Sequence, residues 1–410
     1  MTATPYLTDQ WYVSPWDFYP EATKDFKINR KVKIHDVTLR EGEQAPGVVF
    51  TIEDKINIAK KLAEIGVDRI EAGMPAVSWQ DEEAMKAIVD LNLGPEIFAF
   101  CRCIPSDVEK AKKAGCHGAM LEVAVNPKLV EGAFGKTMEW ARSAAIEATI
   151  AAKEVGLYTA FFTMDGTRTD INQLLDTVDS IREHGRMDAL VVPDTYGCLH
   201  PWAVYPMFRK LKEHMGDIPV EAHMHMDFGL GAANTLAAVA AGADAAHVSI
   251  SGIGGGSGNT PLEDVALSLK VLFGVDTRIK TEKFCEVSRY VCKLANNHQL
   301  PPNRPIVGTD ILAVDSGQGA MTIERAEKMG TLKYLLGVQP GLIGQPGFRY
   351  MLGKKCGTAM IERYLREIGR TLKEDQIKIA VEKVKTASID KRRMLTIEEF
   401  TTIVDDVSKQ

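Results

Sequence analysis

Between Lys31 and about Gly274 the chain repeats one unit eight times, a short run rich in β-branched residues followed by a stretch with helical periodicity. The strand candidates are 31–38, 68–73, 96–102, 118–125, 158–165, 189–194, 220–227 and 246–252. Amphipathic or alanine-rich helical segments lie between them, as at 52–65, 136–155 and 260–273. Strands that alternate with helices pair in parallel, and eight such units imply an α/β fold whose sheet closes on itself, a (β/α)8 TIM barrel.

A barrel of about 250 residues fits within 31–280 and leaves two flanking regions in a chain of 410 residues. Residues 1–30 form an N-terminal arm carrying Tyr6, Trp11, Tyr12, Trp16, Phe18 and Tyr19 among polar neighbours. That aromatic density predicts docking on the chain's own barrel or on a sister subunit. Residues 281–410 form a smaller, mainly helical C-terminal region, interrupted at Leu300-Pro301-Pro302-Asn303-Arg304-Pro305 and resuming in long amphipathic stretches from Thr358.

With 45% hydrophobic and 25% charged residues the composition is that of a globular protein. A net charge of −6 gives no broad cationic field for a polyphosphate, so nucleic acid is not an expected partner. No apolar run reaches the roughly 18 residues of a membrane span, and the N-terminus lacks the basic-then-apolar order of a secretion signal. A cytoplasmic location without membrane attachment is expected. Seven cysteines without a Cys-x-x-Cys pair argue against a disulfide framework. Cys101 and Cys103 share a strand face, but two sulfurs make a poor metal site, and all seven read as reduced structural residues.

In a barrel of this kind the functional groups gather where strands end and βα loops begin. Arg40, Glu41, Arg102, Asn126, Asp165, Thr195, His225 and Asn259 fall at or just beyond the expected strand ends. His223-Met224-His225 places two imidazoles on one face of the seventh strand, because side chains two apart point the same way. Two neutral imidazoles with one carboxylate form a divalent-cation site with open positions for substrate or water. Alone, a His-x-His pair is more often structural than ligating. Arg40-Glu41-Gly42 after the first strand changes the balance: Glu41 supplies a carboxylate, Gly42 a sharp turn, and Arg40 a permanent cation beside the site. His35, His117, His200 and His247 lack a spaced partner and read as packed or surface histidines.

Several motifs together resemble the metal-dependent TIM-barrel lyases and synthases, the superfamily of 2-isopropylmalate synthase, homocitrate synthase and hydroxymethylglutaryl-CoA lyase. They are Thr38-Leu39-Arg40-Glu41-Gly42-Glu43-Gln44, Ile70-Glu71-Ala72-Gly73-Met74-Pro75-Ala76, Pro193-Asp194-Thr195, His223-Met224-His225, and Gly252-Ile253-Gly254 followed by Gly258-Asn259. Pro305-Ile306-Val307-Gly308 and Leu352-Gly353-Lys354-Lys355-Cys356-Gly357 are similar to segments of the synthases' C-terminal subdomains. The resemblance covers nearly the whole chain after residue 30 and is closest to the synthase branch. It implies Glu41, His223 and His225 as ligands of a divalent ion (Zn, Mn, Mg, Co or Fe), with Asn259 as a fourth. It also implies Arg40 as the group polarising a carbonyl, Gln44 as a substrate-placing residue and Thr195 as a partner for a substrate carboxylate. Homodimerisation is implied as well, through C-terminal segments packed on a partner barrel.

The pattern departs from the synthases at four places. Their Glu-Asp pair at the end of strand five is matched by Met164-Asp165, so Met164 stands where a proton-transferring Glu is expected and Asp165 is the nearest acid. Their C-terminal Phe-x-His-x-Ser-Gly-Ile-His is matched by Leu312-Ala313-Val314-Asp315-Ser316-Gly317-Gln318-Gly319, which lacks both histidines. Ala160 and Phe162 replace an Arg and a Ser that hold the far carboxylate of 2-oxoglutarate in homocitrate synthases, so that side of the site should be apolar. Gly255-Gly256 replaces the Glu-Arg of their glycine loop, and Tyr334 lies one residue out of register with their C-terminal catalytic Tyr.

Three functional readings follow. The first is metal-dependent condensation of acetyl-CoA with a 2-oxo acid at its carbonyl. The second is a CoA-independent aldolase or lyase that cleaves a hydroxy acid at the same metal site, and the third is a non-catalytic relative that binds a 2-oxo acid.

Overall fold

A computed structural model describes residues 4–296 and 300–409. Eight parallel strands close in sequence order: β1 (Lys33–Asp36), β2 (Arg69–Gly73), β3 (Glu96–Arg102), β4 (Gly118–Ala124), β5 (Tyr158–Met164), β6 (Ala189–Asp194), β7 (Val220–Met224) and β8 (Ala245–Val248). Closure is made by β1 against β8, with His35 beside His247 and Asp36 beside Val248. The helices that follow the strands are α1 (Ile52–Ile65), α2 (Trp79–Asp90), α3 (Pro105–Lys113), α4 (Met138–Glu154), α5 (Ile171–His184), α6 (Pro201–Met215), α7 (Gly231–Ala240) and α8 (Leu262–Val271). The fold is therefore the expected (β/α)8 barrel followed by a helical region.

Helix α1 illustrates how local sequence sets these boundaries. Thr51 and Asp54 form a reciprocal capping box at its start, and Gly66 ends it in the left-handed region at φ 100°. A Cβ on Gly66 would come within 2.9 Å of the Arg278 carbonyl oxygen, so glycine alone fits there. Ile58, Ala59, Leu62 and Ile65 recur at helical spacing and are fully buried.

The barrel interior has two unlike halves. On the β3–β6 side it is filled by Phe98, Phe100, Met120, Ala160, Phe162, Ala189 and Val191, all buried. On the side of β1, β2, β7 and β8 the buried side chains include His35, Arg69, Glu71, Glu221, His223 and His247. Buried charges must be paired and hydrogen-bonded to be tolerated. Arg69 Nη1 donates to Glu221 Oε1 (2.7 Å) and its Nε to Glu96 Oε2 (3.0 Å), while its guanidinium lies 4.9 Å from the centroid of the Phe98 ring.

The chain divides into two compact units, Pro15–Leu300 and Met1–Ser14 with Pro301–Gln410, which differs from the boundaries expected at residues 30 and 280. Helix α9 (Phe284–Leu294) belongs with the barrel because it buries Phe284, Val287 and Val291, and Ser288 Oγ meets Ser251 Oγ at 2.5 Å. The aromatic arm is split: Trp11 pairs with Val338 in an antiparallel bridge, and Tyr12 meets Tyr334 edge to face at 5.8 Å, both within the second unit. That unit contains α10 (Gly317–Met329), α11 (Thr358–Glu367), α12 (Glu374–Lys391) and α13 (Ile397–Ser408) around Met360, Ile361, Val384, Phe400 and Val404.

Arg69→Met removes the cation beside Glu221 while keeping much of the side-chain volume. Such a broken buried pair costs about 3–5 kcal/mol, so urea unfolding should report a loss of that size; a loss under about 1 kcal/mol would contradict the role given to the pair.

Candidate metal centre and substrate cavity

The turn after β1 brings Arg40 and Glu41 to the mouth of the barrel. The Glu41 backbone N–H donates to the Val37 carbonyl (2.8 Å), and Gly42 opens a tight turn to Gln44 where a Cβ would press within 3.1 Å of Ile253. At the end of β7, His225 forms an antiparallel bridge with Asn259, and Met226 N–H donates to the Gly258 carbonyl at 3.1 Å. The glycine loop is thereby drawn over the site: a Cβ on Gly254 would stand 3.3 Å from Glu41 Cγ, and one on Gly258 2.3 Å from the Gly252 carbonyl oxygen.

Glu41, His223 and His225 offer ligand atoms that all lie within 4.8 Å of one another. His223 Nε2 is 3.3 Å from His225 Nε2 and 3.9 Å from Glu41 Oε2. Ligands bound at about 2.1 Å around one ion are separated by about 3 Å or slightly more, so this donor set fits a divalent cation. Asn259 turns its amide nitrogen, not its oxygen, toward His223 Nε2 (3.0 Å), because its Oδ1 accepts the Thr260 backbone N–H (2.8 Å). Oxygen coordination by Asn259 is therefore not the arrangement in this structure.

A chain of buried groups fixes the tautomer of His223. Burial favours the neutral form of Glu221, but the His247 hydrogen bond and Arg69 outweigh it and pull the carboxyl down to about 2, so it accepts only. His247 Nε2, 2.9 Å away, must donate to it, which leaves a lone pair on His247 Nδ1 when the ring is neutral. His223 Nδ1, 3.3 Å from that atom, then carries the hydrogen, and His223 Nε2 is left with the lone pair a cation requires. Burial first, and then His225, His247 and Arg40, hold His223 well below the usual imidazole range.

Arg40 is gripped from two sides. Its Nε donates to Glu71 and its Nη1 to Glu41, while its guanidinium carbon stacks 3.9 Å over the Phe100 ring. Burial disfavours the guanidinium charge, and the Glu41 and Glu71 carboxylates more than reverse that. Glu71 is likewise opposed by burial but held down at about 2 by Arg40 and His35. Arg40 Nη2 is buried and has no hydrogen-bond partner among the described residues.

These groups line a cavity of about 480 Å3 with Gln44, Phe100, Glu122, Phe162, Met164, Pro193, Thr195, Tyr196, Asp227, Gly255 and Gly256. Of the residues expected at the site, Arg40, Glu41, Gln44, Thr195, His223 and His225 thus share one space. Asp165 does not: it is fully buried at φ 62°, holds Arg168 through both carboxylate oxygens (2.6 and 2.7 Å), and accepts from Asn126 Nδ2 at 2.8 Å. Its role is to staple two βα loops, since the left-handed backbone just past β5 turns its carboxylate to Arg168 and Asn126. Tyr334 lies in the other compact unit, half exposed against Tyr12.

Sequence reasoning missed Glu71 and Glu122, although each is the lone acid of its strand and stands at an inward position. Another trio, His35, Glu221 and His247, brings donors equally close. Its two rings, however, are stacked 13° from parallel with centroids 4.3 Å apart, and in-plane lone pairs of parallel rings do not converge on one ion. His200 and His117 serve locally, their Nδ1 atoms accepting from the backbone N–H groups of Ala203 and Ile97.

Residues 31–291 match the family model described as HMGL-like. The chain belongs to the HMGL-like family. It is 37% identical over 394 residues to a 2-isopropylmalate synthase of Methanocaldococcus jannaschii, covering 94% of this chain and 74% of that one. It is 34% identical to 2-isopropylmalate synthase 2 of Caldanaerobacter subterraneus subsp. tengcongensis, covering 93% and 97%. An (R)-citramalate synthase of M. jannaschii is 38% identical, over 86% of this chain and 70% of the other. The HMG-CoA lyase of Bacillus subtilis superposes with a TM-score of 0.59 at 22% identity, over 66% of this chain and 95% of that one, and shares the fold. Like these curated relatives, the chain is an enzyme of the acyltransferase-type synthase kind. Among the described residues no helix is long and apolar enough to cross a membrane.

His223→Ala should abolish retention of a divalent ion after reconstitution and desalting, and unchanged metal content by elemental analysis would defeat the assignment. Glu221→Gln, which disturbs the tautomer chain without touching the donors, should weaken metal affinity by about 10–100-fold. Competition with a chelating dye measures it, and an unaltered affinity would remove Glu221 from the scheme.

Proposed function

We propose that the chain condenses an acyl-CoA, acetyl-CoA in the simplest case, with a 2-oxo acid at its carbonyl carbon. The observation that carries this reading is the convergence of Glu41, His223 and His225 with the Arg40 guanidinium in one cavity. The relatives named 2-isopropylmalate and citramalate synthases support it. Those three residues would hold a divalent ion, which would supply Lewis acidity to a 2-oxo acid.

The protein groups divide the remaining work. Arg40 offers the free Nη2 donor to the oxygen on which negative charge grows. Thr195 Oγ1 already accepts the Asp165 backbone N–H at 2.9 Å, so its own hydroxyl hydrogen is available to a substrate carboxylate. Phe100, Phe162 and Met164 give the opposite wall rings and a thioether that suit a short hydrocarbon side chain, and the Glu122 carboxylate among them repels a second carboxylate. Hydrolysis of the product thioester makes the reaction irreversible.

Met164, in place of the synthases' acid, favours a second reading: CoA-independent cleavage of a hydroxy acid, which needs the same donors and Arg40 alone. The assembly proposed is a homodimer, supported by the resemblance to the synthases, and a monomer by light scattering would reject it.

Thiol release from acetyl-CoA across a panel of 2-oxo acids tests the first reading. Pyruvate or a short apolar 2-oxo acid should exceed 2-oxoglutarate by at least about 10-fold in kcat/KM. Pyruvate release from hydroxy acids without thiol release would give the second reading instead. Arg40→Met should lower kcat by about 100- to 1,000-fold; a change under about threefold would exclude Arg40 from the oxyanion role.

A further inference from the structure

Of the carboxylates on the cavity wall, Glu41 is committed to Arg40, and Asp227 stands exposed at the rim, 3.5 Å from the Ser257 hydroxyl. Glu122 is different. It lies on β4 between Arg102 of β3 and Phe162 of β5, lines the same cavity as Arg40, His223 and Met164, and its carboxylate makes no hydrogen bond or ion pair with any described residue. A half-buried acid among aromatic rings with no hydrogen-bond or ion-pair partner is costly to retain for structure alone, because only the longer-range field of Arg40 offsets its charge. Met164 pairs with Ala124, so Glu122 is one inward step deeper and one strand over from the position where the synthases carry their acid.

We infer that Glu122 is the proton-transferring residue of this enzyme, standing in from strand four for the acid that Met164 has displaced from strand five. The inference rests on the condensation reading. In that reaction Glu122 removes a proton from the methyl group of the acyl thioester, and the electron pair of the broken C–H bond forms the bond to the ketone carbon. The carbonyl π pair moves onto oxygen, and that oxygen takes the proton back from Glu122 to become the alcohol. Nothing is oxidised or reduced, and the carboxylate is regenerated.

The electrostatics agree with this role. Burial pushes the Glu122 carboxyl up to about 7 against the pull of Arg40, with Glu41 and Glu71 adding to the rise. A group poised there can both accept and return a proton near neutral pH.

The test uses the metal-reconstituted full chain and the best 2-oxo acid of the panel. Glu122→Gln should lower kcat for thiol release by about 100- to 10,000-fold, leave the KM for the 2-oxo acid within about threefold, and abolish deuterium entry from D2O into the methyl group of acetyl-CoA. Restoring an acid at the neighbouring position, in Glu122→Gln/Met164→Glu, should recover at least about 10-fold of that loss. A Glu122→Gln kcat within twofold of the parent, or unchanged deuterium entry, overturns the assignment while leaving the condensation reading intact. A parent chain that releases no thiol with any 2-oxo acid overturns the condensation reading, and this inference with it. Should Gln cost the fold, Glu122→Asp decides: slowed exchange at retained 2-oxo acid binding supports the role, and parental rates overturn it.

Discussion

The Arg69–Glu221–His247–His223 chain is the interaction on which the arrangement of the site depends. It begins at an ion pair between β2 and β7 and ends at an imidazole nitrogen in the cavity. Each link is buried, so each must be satisfied by the next, and removing one leaves a charge or donor stranded at a cost of several kcal/mol. Strand register is tied to the same chain. A slip of β7 by one residue would turn Glu221 and His223 out of the barrel and bring Ala222 and Met224 in. The polar half of the barrel thus specifies both fold and ligand geometry, although it contributes little of the hydrophobic driving force.

Much of the barrel was legible because its strands are short apolar runs that the helical period interrupts. β3 and β6 match their expected limits, and α1 matches residue for residue, since Thr51, Asp54 and Gly66 mark its ends chemically. The expected strands at 31–38, 220–227 and 246–252 are longer than β1, β7 and β8. In each, the excess residues leave the ladder to form the turn or loop that carries Arg40, His225 or the glycine segment, and apolar content does not reveal where pairing stops. The convergence of His223 and His225 was legible because spacing on a strand determines facing. Asp165, the acid nearest the position of Met164, lies outside the cavity because a left-handed backbone turns its carboxylate to Arg168, which sequence spacing does not disclose. Glu122 was passed over because no motif surrounds it, and only the pleat of a closed barrel turns it inward.

The two halves of the interior differ in the chemistry they present. The β1, β2, β7 and β8 side presents oriented donors and lone pairs, whose positions are held by the hydrogen-bonded chain. The opposite wall presents Phe100, Phe162 and Met164 with the Glu122 carboxylate among them, and no cation to anchor an anionic substrate tail. A substrate spanning such a cavity is oriented by its own polarity, with its oxygens toward the histidines and its side chain toward the rings.

Charge balance in the cavity leads to one further step. Arg40 is the cationic side chain lining it, against the carboxylates of Glu41, Glu122 and Asp227, and His223 is neutral. A monoanionic 2-oxo acid would meet net repulsion in that enclosure, where a low dielectric makes uncompensated charge expensive. The repulsion is removed if the lone pairs of His223 and His225 and the Glu41 oxygen close on a divalent cation, which leaves the enclosure near neutrality before substrate enters. The same three donors that define the geometry of the site therefore also set the condition under which an acidic substrate can occupy it.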